Sequence, residues 1–242
     1  MSETPDLQDR VALVTGATRG FGFATARALA AAGAHVIAVG RTVGGLEDLD
    51  NHIKQRGGTA TLVPLDVTDD PGLMRLGGAV YDRFGRVDLW LHTAAHAPFL
   101  SRAAMISEKD LDATLALNLR AYQRLIRCVD PLLRLAPAHR GRALIATEDR
   151  IGQPFWGLYA AAKAAQSVLT RAWAEETRAE FTVAEIVPPE MPTALRGRFY
   201  PSPERDKLAT IDAAAEALLL RLSDPISPGE RIVLMPNTGE GA

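Results

Sequence analysis

The sequence predicts a doubly wound α/β fold, in which helices cover both faces of a parallel sheet. Short apolar runs alternate with amphipathic runs along most of the 242 residues, which is the pattern of repeated strand–helix units. A glycine-rich turn joins the first apolar run, Val11–Thr15, to an alanine-rich run at 23–32. No linker, charge block or repeat divides the chain. We therefore expect a single domain over residues 1–242.

Hydrophobic periodicity and the positions of glycine and proline set the expected elements. Strands are expected at 11–15, 34–39, 59–65, 87–92, 142–146, 181–187 and 231–235. Helices are expected from the glycine turn to residue 32 and at 46–56, 69–84, 107–134, 157–180 and 211–222. Ser107 has the form of a helix cap, and Pro131 is expected to break or bend the long helix that follows it. The prolines after residue 187 predict an irregular segment at 188–210, which we expect to be a mobile lid on the substrate side.

The composition restricts the partners and the compartment. Hydrophobic residues make up 47% and charged residues 23% of the chain, and the formal net charge is -2 without any basic block. Nucleic acid and anionic membranes are therefore not expected as partners. Cys128 is the only cysteine, which excludes an internal disulfide and a cysteine-rich metal site. The polar N-terminus does not resemble a signal peptide, and no apolar run approaches the roughly 18 residues of a membrane helix, so we expect a cytoplasmic protein.

The glycine turn has the pattern Thr-Gly-x-x-x-Gly-x-Gly at 15–22 and suits a phosphate group. Its glycines let the backbone approach a ligand, and the amides of the first helical turn point towards the anion. Together with Tyr-Ala-Ala-Ala-Lys at 159–163, the turn resembles the short-chain dehydrogenase/reductase family, and the resemblance covers nearly the whole chain. The family implies a Rossmann-type parallel sheet of about seven strands in the order 3-2-1-4-5-6-7. It also implies an oxidoreductase that transfers hydride between a nicotinamide cofactor and a carbonyl/alcohol substrate.

The resemblance implies NADP(H) as the preferred cofactor, with NAD(H) as the alternative. NAD-preferring members carry an acidic residue after the second strand, where this chain has Gly40 followed by Arg41. Arg41 and Arg19 offer guanidinium groups that pair with a 2′-phosphate through charge-assisted hydrogen bonds. The alternative is that both are ordinary solvated arginines.

The family also assigns residues at other strand ends to the cofactor. Asp66 would accept a hydrogen bond from the adenine amino group, or it opens the next helix. The stretch 188–193 resembles the Pro-Gly-x-x-x-Thr segment that grips the nicotinamide carboxamide, although Pro189 replaces the glycine; the alternative is a plain proline-rich loop. The implied cofactor-binding residues are Gly16, Thr18, Arg19, Gly20, Phe21, Gly22, Arg41, Asp66, Val67, Ala94, Tyr159, Lys163, Pro188, Met191 and Thr193. No metal-ligand spacing is present, so no metal is expected.

Tyr159 and Lys163 lie four residues apart on a predicted helix and therefore share one face. A cation alongside favours the phenolate and should bring the pKa of Tyr159 from about 10 towards neutrality. In the reductive direction, the phenol would donate a proton to the carbonyl oxygen as hydride arrives. Asn118 matches the helix asparagine that, in the family, holds a water in a proton relay to the lysine. The alternative for the pair is an amphipathic helix with an interface tyrosine and a surface lysine.

Two departures from the family pattern bear on the chemistry. The fourth strand ends in His-Thr-Ala-Ala at 92–95 instead of Asn-Asn-Ala-Gly, so the asparagine that braces the sheet is lost. We leave His92 and His96 out of the site, because a lone histidine near a strand end is more often structural.

The second departure is the serine that polarises the substrate oxygen. Counting back thirteen residues from Tyr159 leads to Ala146, and counting forward along the fifth strand leads to Glu148. Thr147 lies between them and is the only hydroxyl residue at 141–158. It either replaces the serine or caps the strand end while the site lacks this group.

Two functions are therefore open. The first is an NADP-dependent reductase or dehydrogenase with Tyr159, Lys163, Asn118 and Thr147 as its catalytic residues. The second is a nucleotide-binding protein on the same scaffold, with catalysis weakened or lost. An unrelated phosphate-binding α/β protein would require the Tyr–Lys pair to be accidental.

The partners expected from this reading are a small molecule and further copies of the chain. Aromatic residues in the loops around the site, among them Trp156 and Phe199, suggest an apolar or aromatic substrate. The long helices at 109–135 and 157–180 resemble those of the family's subunit interface, which implies a homodimer or homotetramer.

Overall fold

The computed structural model describes residues 4–137, 140–200 and 208–235. Within these ranges, seven strands form one sheet in the order β3-β2-β1-β4-β5-β6-β7, and all neighbouring strands are parallel. The strands are β1 (Val11–Thr15), β2 (His35–Gly40), β3 (Thr59–Pro64), β4 (Leu89–His92), β5 (Arg142–Ala146), β6 (Thr182–Val187) and β7 (Arg231–Val233). The predicted fold class and strand order are thereby confirmed.

Helices connect the strands and cover both faces of the sheet. They are α1 (Gly20–Ala31), α2 (Val43–Lys54), α3 (Asp70–Phe84), α4 (Glu108–Leu115), α5 (Tyr122–Arg134), α6 (Gly157–Thr177), α7 (Ala194–Phe199) and α8 (Ile211–Arg221). None of those in the described ranges combines the length and the apolar character that a bilayer span requires.

Two buried clusters lie on either side of the sheet, because successive strand residues point to opposite faces. Val14 packs on one side with Leu29 of α1 and Leu218 of α8. Its neighbour Leu13 packs on the other side with side chains of α3, α5 and α6, including Trp173. Burial on both faces explains why the inner strands β1 and β4 read as nearly continuous apolar runs, whereas the edge strand β3 is only partly buried.

The long helix expected after Ser107 is interrupted, but not where the sequence suggested. A π-helical stretch at Ala116–Ala121 separates α4 from α5, whereas Pro131 lies inside α5 without ending it. Ser107 caps α4 as expected, with its hydroxyl accepting from the Asp110 backbone N–H at 3.1 Å. The π stretch contains Asn118, whose side chain forms two hydrogen bonds with the backbone of His96 in the loop after β4. We attribute the interruption of the helix to this contact.

The segment at 188–210 is less irregular than its prolines suggested, because it contains α7. The Thr193 hydroxyl accepts a hydrogen bond from the Arg196 backbone N–H at 3.2 Å and so caps this short helix. Residues 201–207 lie outside the described residues, and the expected lid falls partly on them.

Candidate active site

A cleft of about 770 Å³ opens at the edge of the sheet where the strands end. The strand order reverses between β1 and β4, and doubly wound sheets bind their ligands at this switch point. The predicted cofactor residues that line the cleft are Gly16, Thr18, Arg19, Gly20, Phe21, Gly22, Arg41, Val67, Ala94, Tyr159, Lys163, Pro188, Met191 and Thr193. Asp66 does not line it, although both of its chain neighbours do. In the described part of the chain, no histidine, cysteine, aspartate and glutamate side chains are grouped to hold a metal ion.

The glycine turn lies against the end of β4. Gly16 has a φ of 89°, and a Cβ there would lie 2.7 Å from the backbone nitrogen of Ala94. A Cβ on Gly22 would collide with the Gly16 carbonyl oxygen and the Thr93 hydroxyl. Helix α1 begins at Gly20, and its first turn has neither an acidic residue nor a capping side chain from the described residues. The first N–H groups of α1 can therefore bind an anionic ligand.

Arg41 follows β2 and lies beside Asp66, with 3.6 Å between guanidinium and carboxylate. The backbone N–H and hydroxyl of Thr68 also donate to Asp66, at 2.9 and 2.7 Å. Burial raises the pKa of Asp66, but these hydrogen bonds and the charge of Arg41 outweigh it and lower the pKa. At Gly40, a Cβ would collide with the methyl group of Thr18. In this chain, the position at which NAD-preferring members carry their acidic residue therefore has no room for a side chain unless Thr18 moves.

The hydroxyl of Tyr159 donates a hydrogen bond of 2.6 Å to Glu148 Oε1. Burial, together with the charge and hydrogen bond of Glu148, raises the pKa of Tyr159 well above its usual value, and Arg150 offsets this only in part. The lowered pKa expected from the sequence is therefore wrong, because burial raises the pKa and because a carboxylate, not the Lys163 ammonium, binds the hydroxyl. Tyr159 is consequently held in its protonated form.

Lys163 is buried one helical turn further along α6. Its Nζ donates to the carbonyl oxygen of Ala146 and to Gln166 Oε1, both at 2.9 Å. Burial lowers the pKa of Lys163 to about 8, although the charges of Glu148 and Glu185 raise it. This ammonium can therefore lose its proton close to physiological pH.

The lowered pKa of Lys163 predicts how stability depends on pH. Its pKa is about 8 in the folded chain against a usual value of 10.5, so the folded state loses the proton first and gains stability as the pH rises through this window. The free energy of unfolding of the wild type relative to Lys163→Met should therefore increase by roughly 2 kcal/mol between pH ~7.5 and ~9.5. Urea titrations at both pH values measure this difference. Lys54→Met removes an exposed lysine paired with Asp50 and should show no such increase; an equal increase for both variants would refute the assignment.

A chain of alternating charges runs from Tyr159 to the segment after β6. Arg150 Nε donates to Glu148 Oε2 at 2.9 Å, and Arg150 Nη2 donates to Glu190 Oε1 at 3.2 Å. Arg196 Nη1 in α7 donates to the other oxygen of Glu190 at 2.8 Å. These four charged residues all line the cleft, and they connect the hydroxyl of Tyr159 to α7.

Asn118 holds the loop that follows β4 and does not line the cleft. Its Oδ1 accepts from the His96 backbone N–H at 2.7 Å, and its Nδ2 donates to the His96 carbonyl oxygen at 2.9 Å. This double hydrogen bond satisfies an amide that would be unfavourable in mid-helix. A part for Asn118 in a proton relay stays a prediction.

His92 replaces the lost asparagine as a link between β4 and β1. It is buried, and its Nδ1 lies 2.8 Å from the Thr15 hydroxyl. Burial and the charge of Lys163 lower the pKa of His92 to about 3, so its ring is neutral near pH 7. The geometry thus gives His92 a structural contact across the two central strands.

Thr147 lines the cleft, and its backbone N–H donates to the Ile186 carbonyl oxygen at 2.8 Å. Its role as a substitute for the serine stays a prediction, because the residue in contact with Tyr159 is the next one, Glu148. Counting forward along β5 did lead to Glu148, but this residue was left out of the predicted site because its side chain has no hydroxyl. Nothing in the sequence indicated Arg150 or Glu190, which meet only in the folded chain.

Comparison with known proteins identifies the family. The family model for short chain dehydrogenases matches residues 10–203. The short-chain dehydrogenase/reductase FrzI of Cladobotryum sp. is 34% identical over 184 residues, which are 76% of this chain and 70% of that protein. A protein of Shigella flexneri 2a, assigned to the short chain dehydrogenases and crystallised with NADP, is 26% identical with a TM-score of 0.90, over 97% of this chain and 100% of that chain. A similarly assigned protein of Escherichia coli CFT073, complexed with NADPH, is 26% identical with a TM-score of 0.87, again over 97% and 100% of the two chains. The chain belongs to the short-chain dehydrogenase family.

Proposed function

We propose that the protein is an NADP(H)-dependent oxidoreductase that transfers hydride between the nicotinamide and a carbonyl/alcohol substrate. The observation that carries this proposal is that Tyr159 and Lys163 line the same cleft as the glycine turn. The NADP and NADPH bound to the Shigella and Escherichia proteins support it.

The residues of the cleft fit such a cofactor. The crowding at Gly16 and Gly22 brings the backbone close to the space where a diphosphate would bind, and the uncapped N-terminus of α1 offers N–H groups to it. Arg41 and Arg19 both line the cleft, and their chain neighbours Gly40 and Thr18 lie against each other, so the two guanidinium groups would pair with a 2′-phosphate. A bound nicotinamide supplies the hydride.

Tyr159 would supply the proton in the reductive direction. Its raised pKa keeps the hydroxyl protonated near neutral pH, so the hydroxyl can donate to the oxygen of a carbonyl substrate. The ammonium of Lys163, which follows by one helical turn, would stabilise the phenolate that remains. The arrangement therefore favours reduction of the carbonyl.

Arg41→Ala should weaken the binding of NADPH by roughly 1.5–3 kcal/mol, the range for a hydrogen bond to a charged group, and leave NADH nearly unchanged. The Arg41 side chain is 63% exposed, and its contact with Asp66 is long at 3.6 Å. Its guanidinium can therefore leave Asp66 and turn to a phosphate. Cofactor fluorescence titrations measure both affinities. Arg178→Ala, which removes an arginine paired with Glu175 on the surface of α6, is the control and should change neither. Equal losses for NADPH and NADH in Arg41→Ala would reject this placement.

A nucleotide-binding protein with little turnover is the second candidate. It is favoured by the hydrogen bond from Tyr159 to Glu148, which engages the proton that the reaction needs. Titration with NADPH followed by a carbonyl substrate panel separates the two candidates. Both predict binding, but only the enzyme consumes NADPH.

A further inference from the structure

Glu148 stands at the position to which the forward count along β5 assigned the family's serine, and it contacts the Tyr159 hydroxyl. Its Oε1 accepts from Tyr159 at 2.6 Å, and its Oε2 accepts from Arg150 at 2.9 Å. A carboxylate bonded in this way is an acceptor only. It cannot donate a hydrogen bond to the substrate oxygen, which is the service that a serine would provide there.

The charge of Glu148 also bears on which substrate can react. When a carbonyl is reduced, negative charge develops on the oxygen that Tyr159 protonates, and nearby donors or positive charges stabilise it. A carboxylate next to the same hydroxyl has the opposite effect. The site is therefore poorly matched to a neutral carbonyl compound.

The neighbouring cations do not cancel this charge. Arg150 is shared between Glu148 and Glu190, and Arg196 binds the second oxygen of Glu190. Among the cleft-lining residues of the loop after β5 and of residues 188–200, three are carboxylates (Glu148, Asp149 and Glu190) and two are guanidinium groups (Arg150 and Arg196). Arg231 also lines the cleft, but its guanidinium lies 3.7 Å from the buried Glu185. Lys163 also lines the cleft, but its Nζ donates to the Ala146 carbonyl oxygen and to Gln166 Oε1 and not to Glu148. A positive charge on the substrate would complete the site.

We propose that the substrate carries a protonated amine on the carbon atom next to the reacting carbonyl carbon, and that Glu148 binds this amine. The pair that the protein interconverts is then an amino ketone and an amino alcohol. This inference rests on the proposed function and adds the substrate class to it.

The carbonyl carbon receives hydride from the reduced nicotinamide, which is oxidised, and the π pair of the C=O bond moves to the oxygen. Tyr159 gives its proton to that oxygen, and the ammonium keeps all of its protons. Because the ammonium donates to Glu148 and lies one carbon away from the reacting carbon, its charge offsets the charge that develops on the oxygen.

Two ketones of nearly equal size test the inference. α-Aminoacetophenone and propiophenone differ only in an ammonium in place of a methyl group, and their phenyl ring suits a cleft that Met191, Phe199 and Tyr200 line. Calorimetry at slightly acidic pH, with the amine protonated, should show the wild type binding the amino ketone about 10-fold more tightly or better. The ratio of kcat/KM for reduction should favour the amino ketone in the same direction.

Variants at Glu148 assign the preference to this side chain. Glu148→Gln should weaken only the amino ketone and bring the two affinities within about threefold, while Glu148→Ser should also speed the reduction of propiophenone because it restores a donor. Glu175→Gln is the matched control: Glu175 pairs with Arg178 at 3.4 Å on the exposed side of α6 and does not line the cleft, so the preference should persist. Thermal melts establish that each variant is folded.

Equal binding of the two ketones by the wild type would overturn the inference, and this comparison needs no variant to fold. Equal losses for both ketones in Glu148→Gln would overturn it as well. An NADPH titration without ketone reports on the proposed function separately. If NADPH does not bind, the proposed function fails, and calorimetry with the unloaded protein still decides whether Glu148 selects the amine.

Discussion

Tyr159→Phe should lower kcat for carbonyl reduction by a factor of about 10² to 10⁴, the usual contribution of a positioned general acid, while the affinity for NADPH changes by less than about threefold. The substitution removes the hydroxyl that would protonate the substrate oxygen. It keeps the ring, which packs edge-on against Phe199 with 5.1 Å between centroids, so the wall of the cleft is preserved. Steady-state kinetics and a cofactor fluorescence titration measure the two quantities.

Tyr122→Phe is the matched control for this prediction. Tyr122 is also fully buried, and its hydroxyl lies 2.7 Å from that of Thr170, but it does not line the cleft. Its loss should cost about 1 kcal/mol of stability and leave kcat unchanged. If Tyr159→Phe turned over as fast as an active wild type, Tyr159 would not be the proton donor. If the wild type itself consumed no NADPH with any carbonyl substrate, the nucleotide-binding candidate would be the better one.

The fold could be predicted because its signals are local in the sequence. β1 begins and ends where its apolar run does, and the glycines of the turn mark the start of α1. The interruption at Asn118 could not be predicted in the same way. Its cause is a pair of hydrogen bonds to the backbone of His96, 22 residues earlier, and such a contact leaves no periodic pattern. Pro131, a local signal, pointed to the wrong place because α5 accommodates it.

The two ends of the cleft also differed in how well the sequence predicted them. The end with the glycine turn is built from consecutive residues, so the motif placed Gly16 and Gly22 in the cleft directly. The substrate end is assembled from separate loops: Glu148 lies 11 residues before Tyr159, and Arg150 lies 40 residues before Glu190. A spacing rule borrowed from a serine could not show which residue of the loop after β5 turns towards Tyr159. The direction of the pKa shift of Tyr159 was missed with it, because burial raises this pKa and the neighbouring carboxylate of Glu148 raises it further.

Gly22→Ala should raise the dissociation constant for NADPH by about 100-fold and lower the free energy of unfolding by about 3 kcal/mol. A Cβ at this position would collide with the carbonyl oxygen of Gly16 and with the Thr93 hydroxyl. The hydroxyl belongs to a side chain that already donates to the Thr15 carbonyl at 3.0 Å, and the carbonyl belongs to the turn itself, so neither moves without displacing the backbone. Such a displacement would shift the first N–H groups of α1 away from the position of the phosphate.

Gly78→Ala provides the comparison, because Gly78 lies in the middle of α3 and, apart from the helix's own backbone, no atom lies within 4 Å of a Cβ built there. Alanine is the better helix former, so this variant should gain up to about 1 kcal/mol of stability and bind NADPH as the wild type does. Urea unfolding and cofactor fluorescence give both numbers for both variants. Wild-type affinity in Gly22→Ala would mean that the turn does not hold the cofactor through its backbone, and the binding site would then have to rest on the arginines alone.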